Sequence, residues 1–232
     1  MTLRTPADSL ADVAAELLRE HDVADLLLRL TRDATQFARG DAAGILVRTH
    51  DGPLELLAAT SHRATYIELF QTQRDEGPCV DVIRTGRPVA ATGRDEIVAR
   101  WPGVGPAIVG AGFEAVHAFP LDWQGGVLGG LNIFGRGAEA LDDESARAAR
   151  ALASMVTLVI VQPERLRPDE VDRRLRRALG GRVVIEQAKG ALAYQMGIDP
   201  ANAYEVLLER SVREGIPLTQ TARQVLREAQ QR

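Results

Sequence analysis

The chain has 232 residues, 45% hydrophobic and 26% charged, with 28 basic against 32 acidic side chains and a net charge of −4. That length suits one large or two modest domains with buried cores, and that composition excludes a disordered or fibrous protein. No apolar run approaches the roughly 18 to 20 residues of a membrane helix, and acidic residues interrupt the apolar part of the N-terminus where a signal peptide would have an unbroken core. The lone Cys79 cannot form an internal disulfide, so a reducing, cytoplasmic setting is expected. Charge is uneven: residues 164 to 232 hold 13 Arg and Lys against 10 Asp and Glu, a balance of +3, while the remainder holds 15 against 22, a balance of −7. A polyanionic partner would therefore meet the back of the chain, although +3 is no signature of nucleic-acid binding by itself.

From Asp8 to Ala38, Leu10, Val13, Leu17 and Leu18, then Leu26, Leu27, Leu30, Ala34 and Phe37, recur at helical spacing. Arg19 to Asp22 interrupt them, which predicts a short leading helix and a longer amphipathic one. Two strands follow, Ala43 to Thr49 and Leu54 to Ala59, because the intervening Asp51-Gly52 is a hairpin signal. Residues Arg63 to Gln73 return to helical spacing through Tyr66, Leu69 and Phe70. Gly77-Pro78 breaks that helix, and Val80, Val82 and Ile83 begin a short one that Gly86 stops. Pro88 to Ala91 is extended, and Thr92 to Gly110, with Pro102 and Pro106, reads as a loop or a short helix. Strands are expected at Ala115 to Leu121 and Val127 to Phe134, the second with Gly129-Gly130 permitting close backbone approach. A helix then runs from Asp142 to Pro163, its acidic start matching the positive helix end. Antiparallel strands between flanking helices make an α+β arrangement.

That order, with EGPC at Glu76 to Cys79, GFEAVHAFPL at Gly112 to Leu121 and LGGLNIFGRGAEALDDE at Leu128 to Glu144, resembles a GAF domain over roughly residues 20 to 162. The resemblance implies a sensor of small molecules or redox state, with a sheet and a covering loop enclosing a pocket. Its ligand, and hence any cofactor, is not legible. Cyclic-nucleotide-binding members carry an Asn followed by a basic residue, whereas Asn132 here precedes Ile133, which argues against that ligand. Asn132 is read as a hydrogen-bonding strand residue and the acids Asp142 to Glu144 as a helix cap. His50, His62 and His117 are read as surface or satisfied core residues, with no haem or other metal site assigned. Cys79, after Pro78 at a helix start, is a candidate redox-sensing thiol whose pKa the helix end would lower; the competing and favoured reading is a packed small residue. Trp101 and Trp123 are assigned to packing.

Pro163 and Pro168 mark a boundary, which divides the chain into residues 1–164 and 165–232. From Asp169, apolar Val171, Leu175 and Ala178 continue into Arg182, Ile185, Lys189 and Leu192 at steps of four and three, a coiled-coil-like lead-in that points to a homodimer. Gly180-Gly181 is expected to loosen this helix and change its packing. Two more helices, Pro200 to Glu214 and Pro217 to Gln230, are framed by Asp199 and Gly215. Their core is assigned to Ala203, Val206, Leu207, Leu218, Ala222, Val225 and Leu226, with Tyr204 expected to be core as well, its hydroxyl near the surface.

The octet IEQAKGAL, Ile185 to Leu192, with Leu175, Ala178 and Arg182 before it and Ala203, Tyr204, Leu207, Leu218 and Ala222 after it, resembles the ANTAR domain, an all-α three-helix bacterial RNA-binding module. The resemblance implies a transcription antiterminator that binds paired hexanucleotide-loop hairpins in nascent RNA. Arginine forks and lysine charges hold phosphates while unpaired bases are stacked or read at their edges. Arg182, Gln187, Lys189 and the small Gly190 are the leading contact candidates, and Arg173, Arg174, Arg177 and Arg210 are secondary ones. Two departures stand out: Glu209 follows the middle-helix Leu208 where a basic residue is usual, and Ala193 replaces a methionine. The expectation is a signal-responsive RNA-binding regulator whose front half takes a small-molecule ligand or other signal. A DNA-binding regulator is the alternative, since three short helices can mimic a helix-turn-helix. No phosphate loop, metal-ligand spacing or nucleophile constellation is present, so no enzymatic activity is expected.

Overall fold

The computed structural model describes residues 4–19, 21–49, 52–162 and 168–230, with side chains of the last segment described from residue 181 onward. The chain forms two compact units, Met1–Gln162 and Pro163–Arg232. The first begins with α1 (Pro6–Leu17) and α2 (Val23–Phe37), and Asp22, in the predicted break, caps α2 by accepting from the amides of Ala24 and Asp25. A five-stranded antiparallel sheet follows, built from β1 (Ala42–Arg48), β2 (Leu54–Ala59), β3 (Val89–Thr92), β4 (Ala115–Trp123) and β5 (Gly126–Gly135) in the order β2-β1-β5-β4-β3. Between the strands lie α3 (His62–Arg74), α4 (Pro78–Thr85), α5 (Arg94–Arg100) and α6 (Gly105–Gly110); α7 (Asp143–Val161) closes the unit.

Alternation along the strands sends neighbours to opposite faces. On one face Ala43, Ile45, Phe119, Leu131 and Ile133 pack with α1, α2 and α7; on the other Ala42, Val116, Ala118 and Phe134 pack with α3 to α6 and Trp101. The β4–β5 turn is tighter than expected. It needs only Gln124 and Gly125, both at positive φ (49° and 83°), a backbone twist that matches the strands it joins. Residues Thr92 to Gly110 form two short helices rather than a loop with at most one. Pro106 sits in the first turn of α6, where its missing N–H costs nothing.

The helix α3 corrects the sequence reading. Tyr66, Leu69 and Phe70 set its expected apolar stripe, yet Tyr66 is 59% and Leu69 45% exposed, while Ala64, Ile67, Glu68 and Gln71 are buried. Phe70 is partly buried against the core, Tyr66 stacks on it from outside at 6.1 Å, and the Arg74 guanidinium lies 5.3 Å over its ring.

The second unit comprises α8 (Pro168–Met196), α9 (Pro200–Glu214) and α10 (Leu218–Gln230). Asp199 caps α9 through the amides of Ala201 and Asn202, and Gly215 ends it in the left-handed region at φ 64°. Ala188, Leu192, Ala203, Leu207, Ala222 and Val225 are buried together, with Ile185, Val206, Leu218 and Leu226 packed against them. Tyr204 departs from expectation: it is 38% exposed and lies outside this core. The helix α8 runs 29 residues without interruption through Gly180-Gly181. Each mid-helix glycine costs about 1 kcal/mol against alanine. Packing with α10 explains its retention at 181, where an added Cβ would stand 3.2 Å from Thr219 Cγ2.

Candidate functional sites

In the first unit, the polar residues of α3 meet the sheet beneath it. Glu68 is fully buried and takes three hydrogen bonds on its carboxyl: Asn132 Nδ2 donates to both oxygens at 2.9 Å, and Gln71 Nε2 donates to Oε2 at 2.7 Å. Gln71 Oε1 in turn accepts from the Cys79 amide at 3.1 Å. The sheet makes room by omission. A Cβ on Gly44 would stand 2.5 Å from Glu68 Oε1, and one on Gly130 would stand 3.0 Å from Cys79 Sγ. No cation offsets the buried carboxyl among these partners, and burial pushes its pKa up to about 8 despite the Asn132 hydrogen bond. Glu68 is therefore mostly protonated at neutral pH. Asn132 Oδ1 is buried and without a hydrogen-bond partner.

Cys79 lies inside this cluster with no exposed surface. Burial, with the Glu68 carboxyl adding, pushes its thiol well above the usual range, which outweighs the helix-start effect expected to lower it. The thiolate required for facile oxidation is disfavoured, and the geometry is that of a packed small residue. Asn132 is the hydrogen-bonding strand residue that was expected, but its partner Glu68 had passed unnoticed as one more polar helix position. The paired glycines of β5 and Gly44 were the available signal. His117 is buried, with Nε2 unpartnered and its pKa lowered by burial; His62 is exposed; His50 lies outside the described residues. Trp101 is buried and donates from Nε1 to Asp81 Oδ2 at 3.1 Å. Among the described residues no group of His, Cys, Asp and Glu is arranged to hold a metal.

In the second unit the octet behaves as a two-sided helix. Ala188 and Leu192 face the core, and Arg182, Gln187 and Gly190 are exposed. Lys189 is half-buried with Nζ 2.5 Å from Glu186 Oε2, an ion pair between neighbours on one helix. Arg182 and Lys189, seven residues apart, share one flank of α8. Arg210 is placed differently from the other candidates. Its guanidinium pairs bidentately with Glu228 at 2.6 and 2.9 Å and reaches Glu214 at 2.9 Å, so it ties α9 to α10. Glu228, more than Glu214, pushes its pKa up. Arg173, Arg174 and Arg177 lie on the α8 backbone, and their side chains fall outside the described residues, as do those of the lead-in seam Val171, Leu175 and Ala178.

A sheet sandwiched by helices around a sealed polar cluster, followed by a helical unit with an exposed polar face, defines a two-domain regulator of the sensor and effector kind. The chain belongs to the GAF domain family, whose model matches residues 20–161, and an ANTAR domain follows at residues 173–226. Among solved structures it is similar to the GAF domain from an Acinetobacter phosphoenolpyruvate-protein phosphotransferase (12% identity, TM-score 0.52, covering 68% of this chain and 94% of that one). It is also similar to the GAF domain of the Coxiella burnetii phosphoenolpyruvate-protein phosphotransferase (16%, 0.52, 67% and 92%) and to the phycoerythrobilin-bound GAF domain of a cyanobacterial phytochrome (11%, 0.51, 68% and 96%). At such identities the likeness is one of fold. No curated protein matches the chain at a significant level. No helix among the described residues is long and apolar enough to cross a membrane.

Proposed function

We propose that this chain is a signal-responsive, RNA-binding transcription antiterminator, in which the GAF domain receives the signal and the ANTAR domain holds paired hairpin loops of a nascent transcript. The observation that carries this reading is the order of the two domains on one chain, a sensor fold followed directly by an RNA-binding family module. The polar side of α8 supports it: Arg182 and, once released from Glu186, Lys189 supply phosphate contacts from one edge, and Gln187 and Gly190, further round the helix, offer an amide and open backbone. Binding of a signal molecule biases the population of arrangements that free this flank, which requires the signal to favour one arrangement energetically. The protein acts as a cytoplasmic homodimer, one ANTAR domain per hairpin, and catalyses no reaction.

The test is a titration of the full chain against a two-hairpin RNA and against duplex DNA at matched salt. Tight binding of the RNA alone is expected. Arg182→Ala and Lys189→Ala should each weaken it and lower the slope of log affinity against log salt by about one. Equal affinity for duplex DNA would move the chain to the DNA-binding class, and unchanged affinity in both variants would remove the assigned contacts. Native mass spectrometry of the freshly purified protein reports subunit count and any retained small molecule.

A further inference from the structure

Tyr194 lies two residues beyond the octet and played no part in the sequence reading of the RNA surface. It is 91% exposed, an unusual position for so large a ring. On α8 it continues a line that steps by four, three and four residues through Val183, Gln187 and Gly190, all exposed. Such steps place residues on one face, here the face opposite the buried Ala188 and Leu192, with the exposed Glu186 between it and the edge that carries Arg182 and Lys189. Gly190 is the informative member. A Cβ there would meet nothing within 4 Å, so the folded unit makes no use of the missing side chain, unlike at Gly181, where Thr219 lies close. A mid-helix glycine that costs about 1 kcal/mol and relieves no internal contact is explained by an outside partner that approaches the backbone closely.

The partner's chemistry follows from the face. Only Val183 and Tyr194 along it are large and apolar, too sparse a pattern for a helix-packing seam, which needs an apolar residue every three or four positions. A flat group fits: it can lie across Gly190, stack on the Tyr194 ring and offer its edge to the Gln187 amide one turn away, while Arg182 and Lys189, about a quarter-turn further round the helix past Glu186, take more distant phosphates of the same strand. We propose that Tyr194 is the stacking platform for an unpaired loop base of the bound RNA, with Gly190 the clearance beside it and Gln187 the edge reader. This rests on the RNA-binding reading above.

The test uses the full chain and a synthetic two-hairpin RNA, compared with the same RNA carrying abasic loop positions. Tyr194→Phe should bind within about twofold of the parent, and Tyr194→Ala should lose about tenfold or more, the usual worth of one stacked base. The salt slope should be unchanged in Tyr194→Ala, because no phosphate contact is lost, whereas Lys189→Ala changes it. One abasic position should weaken the parent by a similar factor and Tyr194→Ala no further. The exposed site makes misfolding an easy control, read by thermal melting. Parent-like binding by Tyr194→Ala overturns the inference alone, as does an equal loss in Tyr194→Phe, which would assign the hydroxyl. Unchanged RNA affinity with an altered subunit count would give the ring to a protein interface and also overturn it. Failure of the parent to bind the RNA removes the RNA-binding reading itself, and the inference with it.

Discussion

Replacing the buried carboxyl of Glu68 by an amide, Glu68→Gln, should change how the stability of the protein depends on pH. In the fold the Glu68 pKa is pushed up to about 8 from 4.5, so between these values the unfolded chain has lost a proton that the native state keeps. Stability therefore falls as pH rises through this window, because the native state binds more protons than the unfolded one. At roughly 1.36 kcal/mol per unit the loss amounts to about 2 to 3 kcal/mol between pH 5 and pH 7. The variant does not titrate. Its new NH2 would face Asn132 Nδ2, now the donor to both oxygens, so the Asn132 amide must turn over to present Oδ1, the buried acceptor without a partner, while the new carbonyl still accepts from Gln71. Urea unfolding followed by circular dichroism across pH 5 to 8 should show the two proteins diverging, with the variant the more stable at pH 8. Parallel curves across that range would refute the argument, since they would mean that Glu68 is already ionised in the fold.

The remaining predictions concern single contacts. Native Cys79 should resist a thiol-specific reagent at pH 7.5 and react fully once denatured, because it is buried with its pKa raised; reaction of the native protein within minutes would return it to the list of redox sensors. Gly44→Ala should cost about 1 to 3 kcal/mol, since its Cβ would stand 2.5 Å from Glu68 Oε1. In a Glu68→Ala background the same change should cost at least about 1 kcal/mol less, and strict additivity in this double-mutant cycle would separate the two sites. Asp199→Ala should lower the stability of the C-terminal unit by about 1 kcal/mol through loss of the α9 cap, measured by thermal melting; no change would mean that its hydrogen bonds to Ala201 and Asn202 are replaced by water at no cost.

Much of this architecture was legible before any coordinates, and the reasons are local. Hairpins follow from glycine-bearing turns, and helix limits from Asp142, Asp199, Gly86 and Gly215, where a side-chain cap or a positive φ is a short-range requirement. The core of the second unit followed from spacing because its buried residues, Thr221 apart, are apolar. Spacing failed at α3 for the same physical reason that makes it interesting. A neutral carboxyl held by two amide donors behaves as a core group, yet in a sequence it is indistinguishable from a solvated one. The outward Tyr66 and Leu69 then supplied a misleading stripe. At Gly180-Gly181 local propensity predicts a loosened helix; α8 continues through both, and at 181 the small residue meets α10, about forty residues away along the chain. The exposed face of α8 was only half visible, because cations announce themselves by charge, whereas an aromatic ring on the surface reads as core until its exposure is measured.

The unbroken course of α8 has a mechanical consequence. Twenty-nine residues at 1.5 Å each make a rod about 44 Å long. A hinge at the paired glycines would let the two halves of α8 turn independently, whereas an unbroken hydrogen-bonded helix joins the lead-in to Arg182 and Lys189 as parts of a single element.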